Sequence, residues 1–142
     1  MKKICSYCGK IHEKKYICPQ KRQAQRDRQA KAEGKENRFR SSGAWKRKAT
    51  QIKKRDCYLC QACIRQMQGT ERRYNTQELS VHHITSLRDD YDRRLDDDNL
   101  ITLCRVHHEM AERGALSAAA LRKITGEQEA SSGGWTKEIP PG

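Results

Sequence analysis

Four of the five histidines stand in two adjacent pairs, His82–His83 in SVHHIT and His107–His108 in LCRVHHEM. Imidazole titrates near neutrality and is a common metal ligand, so such pairs suit acid–base chemistry, metal binding or both. Cysteines crowd the same segments. Cys60-Gln-Ala-Cys63 and Cys104-Arg-Val-His107 share a two-residue gap, which fits a four-coordinate structural zinc built from two short chain elements. Cys57 is in phase with the first pair, so CYLCQAC offers three thiols for two positions. Cys60 and Cys63 are the expected ligands, with Cys57 a small half-buried neighbour.

A metal would also supply what the composition lacks. Apolar residues make up 35% of the 142, phenylalanine occurs once, and 34% of the chain is charged. So small an apolar complement calls for covalent or metal staples. The N-terminus MKKICSYCGK has no apolar stretch of signal-peptide length, and no run is long enough to span a membrane. Thiols are then expected reduced, in the cytoplasm, where C-x-x-C spacing reads as metal binding rather than a disulfide.

The elements that must position these groups follow from pattern. ELSVHHIT and LITL read as short strands, the polar SLRDDYDRRLDDDN as the loop between them, and CRVHHEMAERGA as a helix stopped near Gly114. On a strand, His82 and His83 point to opposite faces. On the helix, His107 and His108 lie about 100° apart. One histidine of the second pair can therefore face a zinc core while the other faces the strands. The geometry suggests that one histidine from each pair binds a second metal and that another stays free.

Upstream, Ser42 is placed to cap a helix whose apolar positions Trp45, Ala49 and Ile52 recur at helical spacing. Trp45 reads as a packing anchor. Ser117 is placed to cap a last helix over 115–125, and aspartates of the acidic loop to cap turns around Asn99. The domain reading is 1–19 a small Cys/His finger, 20–38 a basic linker or helix ending near Gly34, 39–126 the main domain, and 127–142 a flexible Gly/Pro-rich tail. Residues 19–56 carry fourteen Lys/Arg against four Asp/Glu, whereas residues 57–142 carry eleven against thirteen. The basic excess ahead of the Cys/His-rich half is a footprint for a polyanion. Its expected nucleic-acid contacts are Arg38, Arg40, Lys46, Arg47, Lys48, Lys53, Lys54 and Arg55.

The finger reads Cys5-x2-Cys8-x3-His12-x5-Cys18, which is similar to a zinc knuckle with the histidine displaced by one position. It is expected to hold a second zinc. The main domain carries a more specific likeness. RDCYLCQAC, VHHI, DDNL and LCRVHH set His83, Asn99 and His108 at the spacing H-x15-N-x8-H, and this constellation resembles the HNH endonuclease family, zinc-containing members in particular. SSGAWKRKATQIKKRDCYLCQAC further resembles the lead-in of small phage-encoded HNH proteins. Three departures stand out: His82 where many members have Asp, His107 in place of the usual fourth zinc cysteine, and no lysine shortly after the last histidine. Arg105 or Arg113 is the expected substitute for that phosphate contact.

The resemblance implies a small α+β, zinc-stabilised ββα-metal fold and a metal-dependent DNA endonuclease. His83 would be the general base, His82 and His108 the ligands of a catalytic Mg2+, Mn2+ or other divalent ion, and Asn99 the residue that fixes the loop and orients His83. Cys60, Cys63, Cys104 and His107 would hold the structural zinc. Glu112, one turn beyond His108, reads as an exposed helix residue with a second possibility as a third ligand. Compact proteins of this kind often sit beside phage packaging genes and act with the terminase, which implies DNA and a phage terminase as partners in a bacterial host cell; homing or restriction roles use the same catalytic core. The competing reading is a zinc-dependent DNA-binding or scaffold protein with an inactive HNH fold, which would need the zinc ligands but neither His83 nor Asn99.

Overall fold

The computed structural model describes residues 1–135. The chain forms two compact units that divide between Arg40 and Ser41. The first unit opens with an antiparallel hairpin, β1 (Lys2–Ile4) and β2 (Ile11–Glu13), with Ile4 opposite Ile11. It continues into α1 (Pro19–Arg40), a single long helix that passes through Gly34. The helix is polar on all sides, and its exposed face is braced by i,i+4 pairs such as Gln23–Asp27 and Gln29–Glu33.

The second unit begins with α2 (Gly43–Arg55), started by Ser42, whose hydroxyl accepts the Trp45 amide. A left-handed turn at Cys57 and Tyr58 leads to the one-turn helix α3 (Gln61–Ile64). Strands β3 (Ser80–His83) and β4 (Leu100–Leu103) pair antiparallel, with His82 opposite Ile101 and His83 opposite Leu100. The helix α4 (Arg105–Glu112) follows, closed by Gly114 in the left-handed region (φ +77°). α5 (Ala118–Trp135) ends the described chain, with Ser117 accepting the Ala120 amide.

α5 runs through 127–135, where the sequence suggests a flexible tail; residues 136–142 of that stretch lie outside the described residues. Gly126 falls inside this helix rather than ending it. The apolar face of α5, with Leu121 and Ile124, packs on Ile101 and Leu103 of β4 and on Cys60, Cys63 and Cys104. Three thiols thus sit in the hydrophobic core. Among the described residues no helix is long and apolar enough to cross a membrane.

Below that core lies a polar clamp. Arg55 donates to the Asp97 and Leu100 carbonyls (both 2.7 Å), to Glu129 (2.8 Å) and to Asp56. Asp56, fully buried, also accepts the Thr102 amide (2.9 Å) and the Gln128 amide (3.0 Å). Burial alone would lower the pKa of Arg55; the Asp56 and Glu129 carboxylates more than reverse this and raise it. Removing either partner of so buried a pair typically costs about 3–5 kcal/mol.

Candidate active site

The start of α4 brings two clusters of metal-ligating groups side by side. In the first, Cys60, Cys63, Cys104 and His107 are all buried, and their ligand atoms lie within 4.8 Å of one another. The Nδ1 of His107 is 3.5, 3.4 and 3.3 Å from the sulfurs of Cys60, Cys63 and Cys104. Cys63 and Cys104 sulfurs are 3.8 Å apart. A tetrahedral zinc at ordinary Zn–S and Zn–N distances spaces its ligand atoms about 3.6–3.8 Å apart, so the cluster has the size of a four-coordinate site.

The outer contacts agree with that use. His107 Nε2 donates to the Gln68 carbonyl (3.0 Å), which leaves Nδ1 unprotonated toward the thiols. Gly69 follows in the left-handed region (φ +90°), where a Cβ would crowd the Met110 sulfur at 2.9 Å and reach only ordinary contact with His107 Nε2 at 3.7 Å. Cys60 accepts the Cys63 amide and Cys63 the Asn75 side chain. Burial pushes the Cys60 thiol up to about 12, so its thiolate at neutral pH calls for a cation beside it. Cys57 takes no part. Its φ of +57° turns it away after α2, and it is exposed rather than half-buried.

The second cluster joins His82, His108 and Glu112. Glu112 Oε1 lies 3.6 Å from His82 Nδ1 and 3.5 Å from His108 Nε2, distances that a single divalent ion can bridge. The two imidazoles meet edge to face at 5.1 Å. Burial, reinforced by the neighbouring His108, lowers the His82 pKa to about 4, so its ring is neutral at pH 7 and its lone pair is available to a metal. Three donors at the open edge of α4 leave room for water and substrate oxygens. Glu112 belongs to this group, not to the solvated face alone. The i,i+4 spacing from His108 was its signal, one that a surface glutamate shares.

His83 points to the other side of β3. Its Nε2 meets the Arg94 carbonyl at 3.0 Å, which fixes the tautomer with the lone pair on Nδ1. Its ring stacks on Trp45, with centroids 4.6 Å and planes 27° apart. Asn99, fully buried, holds the surrounding backbone. Its side chain accepts the Thr85 amide (2.7 Å) and donates to the Thr85 and Arg93 carbonyls, while its own carbonyl accepts the Ile84 amide. Asn99 thus holds the chain on either side of His83, and no bond between the two side chains is among those described.

Several charged residues have other work than the sequence suggests. Arg55 is spent on the buried clamp, its side chain only 6% exposed, so it does not reach a nucleic acid. Lys48 is ion-paired with Asp97 at 2.7 Å. Lys46, Arg47 and Lys54 remain exposed and, with Thr50 and Gln51, line a shallow concavity of about 450 Å³ on α2. At Asp90 and Asp96, which precede the two one-turn helices of the loop, no side-chain cap bond is made. Asp96 and Asp98 pair instead with Arg93.

In the first unit Cys5, Cys8, His12 and Cys18 also gather within 4.8 Å, only Cys18 being buried. Cys8 Sγ and His12 Nε2 lie 2.9 Å apart. Backbone amides of Tyr7 and Cys8 lower the Cys5 pKa, as suits a thiolate ligand. The cluster fits a knuckle-like finger.

Comparison with known proteins completes the picture. Residues 60–113 match the HNH endonuclease family profile. Among solved structures the chain is similar to the HNH endonuclease of the deep-sea thermophilic bacteriophage GVE2, determined with a manganese ion. The two share 30% identity over 70% of this chain and 95% of that one, with a TM-score of 0.48. No curated protein matches.

Proposed function

Since the chain belongs to the HNH endonuclease family, we propose that it hydrolyses DNA phosphodiester bonds with a divalent ion held by His82, His108 and Glu112 and a structural zinc held by Cys60, Cys63, Cys104 and His107. The observation that carries this reading is the division of α4: His107 turns into a closed, buried cluster while His108, the next residue, turns to an open one.

Phosphodiester hydrolysis needs a deprotonated water, neutralisation of charge on the phosphate, and a stabilised leaving oxygen. A divalent ion held by His82, His108 and Glu112 would supply Lewis acidity for the last two. His83 supplies the first: with its Nε2 proton committed to the Arg94 carbonyl, Nδ1 accepts the proton of the attacking water. Asn99 bonds the carbonyl of Arg93, the residue before Arg94, and holds the turn after His83 through Thr85. The fingers of positive charge are Lys46, Arg47 and Lys54 on α2, half-buried Lys53, and Arg38 and Arg40 on the separate first unit, which would track phosphates without reading sequence. The N-terminal cluster is a second zinc site. A setting in phage DNA packaging beside a terminase rests on the likeness of the lead-in SSGAWKRKATQIKKRDCYLCQAC, and co-purification with a terminase subunit tests it.

The activity is tested by nicking of supercoiled plasmid with Mg2+ or Mn2+, with and without chelator. His83→Ala is expected to lower the rate by about 10²–10⁴-fold while zinc content and thermal unfolding stay as in the wild type. Full cleavage by that variant removes His83 as the base. A wild type that binds DNA but never nicks it, with any divalent ion, would return the protein to the scaffold reading.

A further inference from the structure

α2 lies outside the segment 60–113 that defines the family match, yet it is bolted to the catalytic hairpin along one face. Trp45, Lys48, Ile52 and Arg55 recur at spacings of three, four and three residues, which places them on one side of the helix. Arg55 holds the carbonyls of Asp97 and Leu100, which flank Asn99 in the chain. Lys48 holds the Asp97 carboxylate. Ile52 is buried to 1% exposure. The fourth contact of this face is Trp45 on the ring of His83.

We propose that Trp45 is a positioning residue for His83, and that α2 is therefore a part of the catalytic unit rather than only a basic approach to it. An imidazole on a strand edge can turn about two side-chain bonds. The hydrogen bond at Nε2 fixes one point on the ring, and a flat indole stacked against the ring opposes rotation about that point. Both contacts act on the direction of Nδ1. Near-attack geometry tolerates little error, since a displacement of about 1 Å can cost about 10²-fold in rate.

Two plainer roles for Trp45 fit the contacts less well. A packing anchor would be enclosed by aliphatic side chains, but Trp45 is half-exposed and its ring meets an imidazole at near-parallel planes. A base-stacking platform for DNA needs a ring face turned outward, and the stack on His83 leaves at most one face of this indole for that. The helix start supports the precise placement: Ser42 caps the Trp45 amide and so sets where the first turn begins.

The proposal rests on His83 being the base, and the test separates the two. Trp45→Phe, Trp45→Leu and Trp45→Ala are compared with His83→Ala in plasmid nicking at saturating divalent ion, with zinc content and thermal unfolding measured for each. Phe keeps a flat ring and is expected to hold kcat within about 3-fold of wild type. Leu keeps apolar bulk without a plane and is expected to lose about 10–100-fold in kcat, with KM within about 2-fold and zinc unchanged. The Phe–Leu pair decides the matter even if Trp45→Ala fails to fold. Equal kcat for Phe and Leu, a loss carried in KM, or a loss that tracks zinc release would each overturn the positioning role while His83→Ala stays inactive. An active His83→Ala would overturn the base assignment and this proposal with it.

Discussion

In the cluster of Cys60, Cys63, Cys104 and His107 every ligand residue is 3% exposed or less. In the cluster one residue further along α4, side-chain exposure climbs from 9% at His82 through 34% at His108 to 62% at Glu112. The first is closed on all sides by protein donors and lies among Ala62, Ile101, Leu103, Leu121 and Ile124. The second offers three donors and faces solvent along one edge. A metal in the closed site can only hold the fold together; one in the open site can still take water and phosphate. One helix start orients both, so any movement of the scaffold cluster is passed to the chemistry beside it.

The pair His107 and His108 is the sharpest place to break this contrast. His107→Ala should give the largest effect seen in the domain: loss of the domain zinc, loss of cooperative unfolding by circular dichroism, and no measurable nicking. Binding free energy of a structural zinc is folding free energy, so the variant loses both together. His108→Ala should lose at least about 10²-fold in nicking rate, since even an outer-shell partner of a metal ligand is worth 10–100-fold. Its zinc content and melting should remain those of the wild type. The opposite pattern, a stable inactive His107→Ala beside an unfolded His108→Ala, would exchange the two sites.

Glu112 sets how open the open site is. Glu112→Gln removes a formal charge and keeps the side chain's length. It should raise the Mn2+ or Mg2+ concentration for half-maximal nicking by about 10-fold, with much of the rate restored at saturating ion. A rate that stays low at every ion concentration would give Glu112 a role in the chemical step. An unchanged ion dependence would leave it a solvated helix residue.

What the sequence made legible was what it encodes at short range. The two Cys/His pairs, the H-x15-N-x8-H spacing, the Ser42 and Ser117 caps and the two short strands each declare themselves within a few residues or through a fixed interval. The clamp of Arg55, Asp56, Gln128 and Glu129 joins residues more than seventy positions apart, and no local pattern marks it. Arg55 and Lys48 therefore read as part of a basic run until their partners are seen. Cys57 was hidden by a backbone effect, because two successive left-handed residues, Cys57 and Tyr58, move a thiol in perfect phase out of reach. The extra length of α5 comes with long-range partners beyond residue 126, which no local pattern marks: Glu127 pairs with Arg65, Gln128 with Asp56 and Glu129 with Arg55.

The N-terminal finger sharpens the contrast from a third side, because its donors are the same Cys3His set as the closed cluster and its surroundings are not. Cys18 is its one buried residue, and Ile4, Ile11, Tyr16 and Ile17 are all more than half exposed. With so few buried apolar groups to share the load, a metal held by Cys5, Cys8, His12 and Cys18 would be the core of this finger. Cys18→Ser should therefore release one of two zinc ions per chain under mild conditions, while the buried domain zinc stays. On cleavage it should give the smallest effect of the series: kcat unchanged, and KM for DNA raised a few-fold at moderate salt as the five lysines of residues 1–18 lose their fixed spacing. A wild type carrying a single zinc would remove the second site altogether. A fall in kcat at saturating DNA would mean that the finger reaches the cleavage step itself.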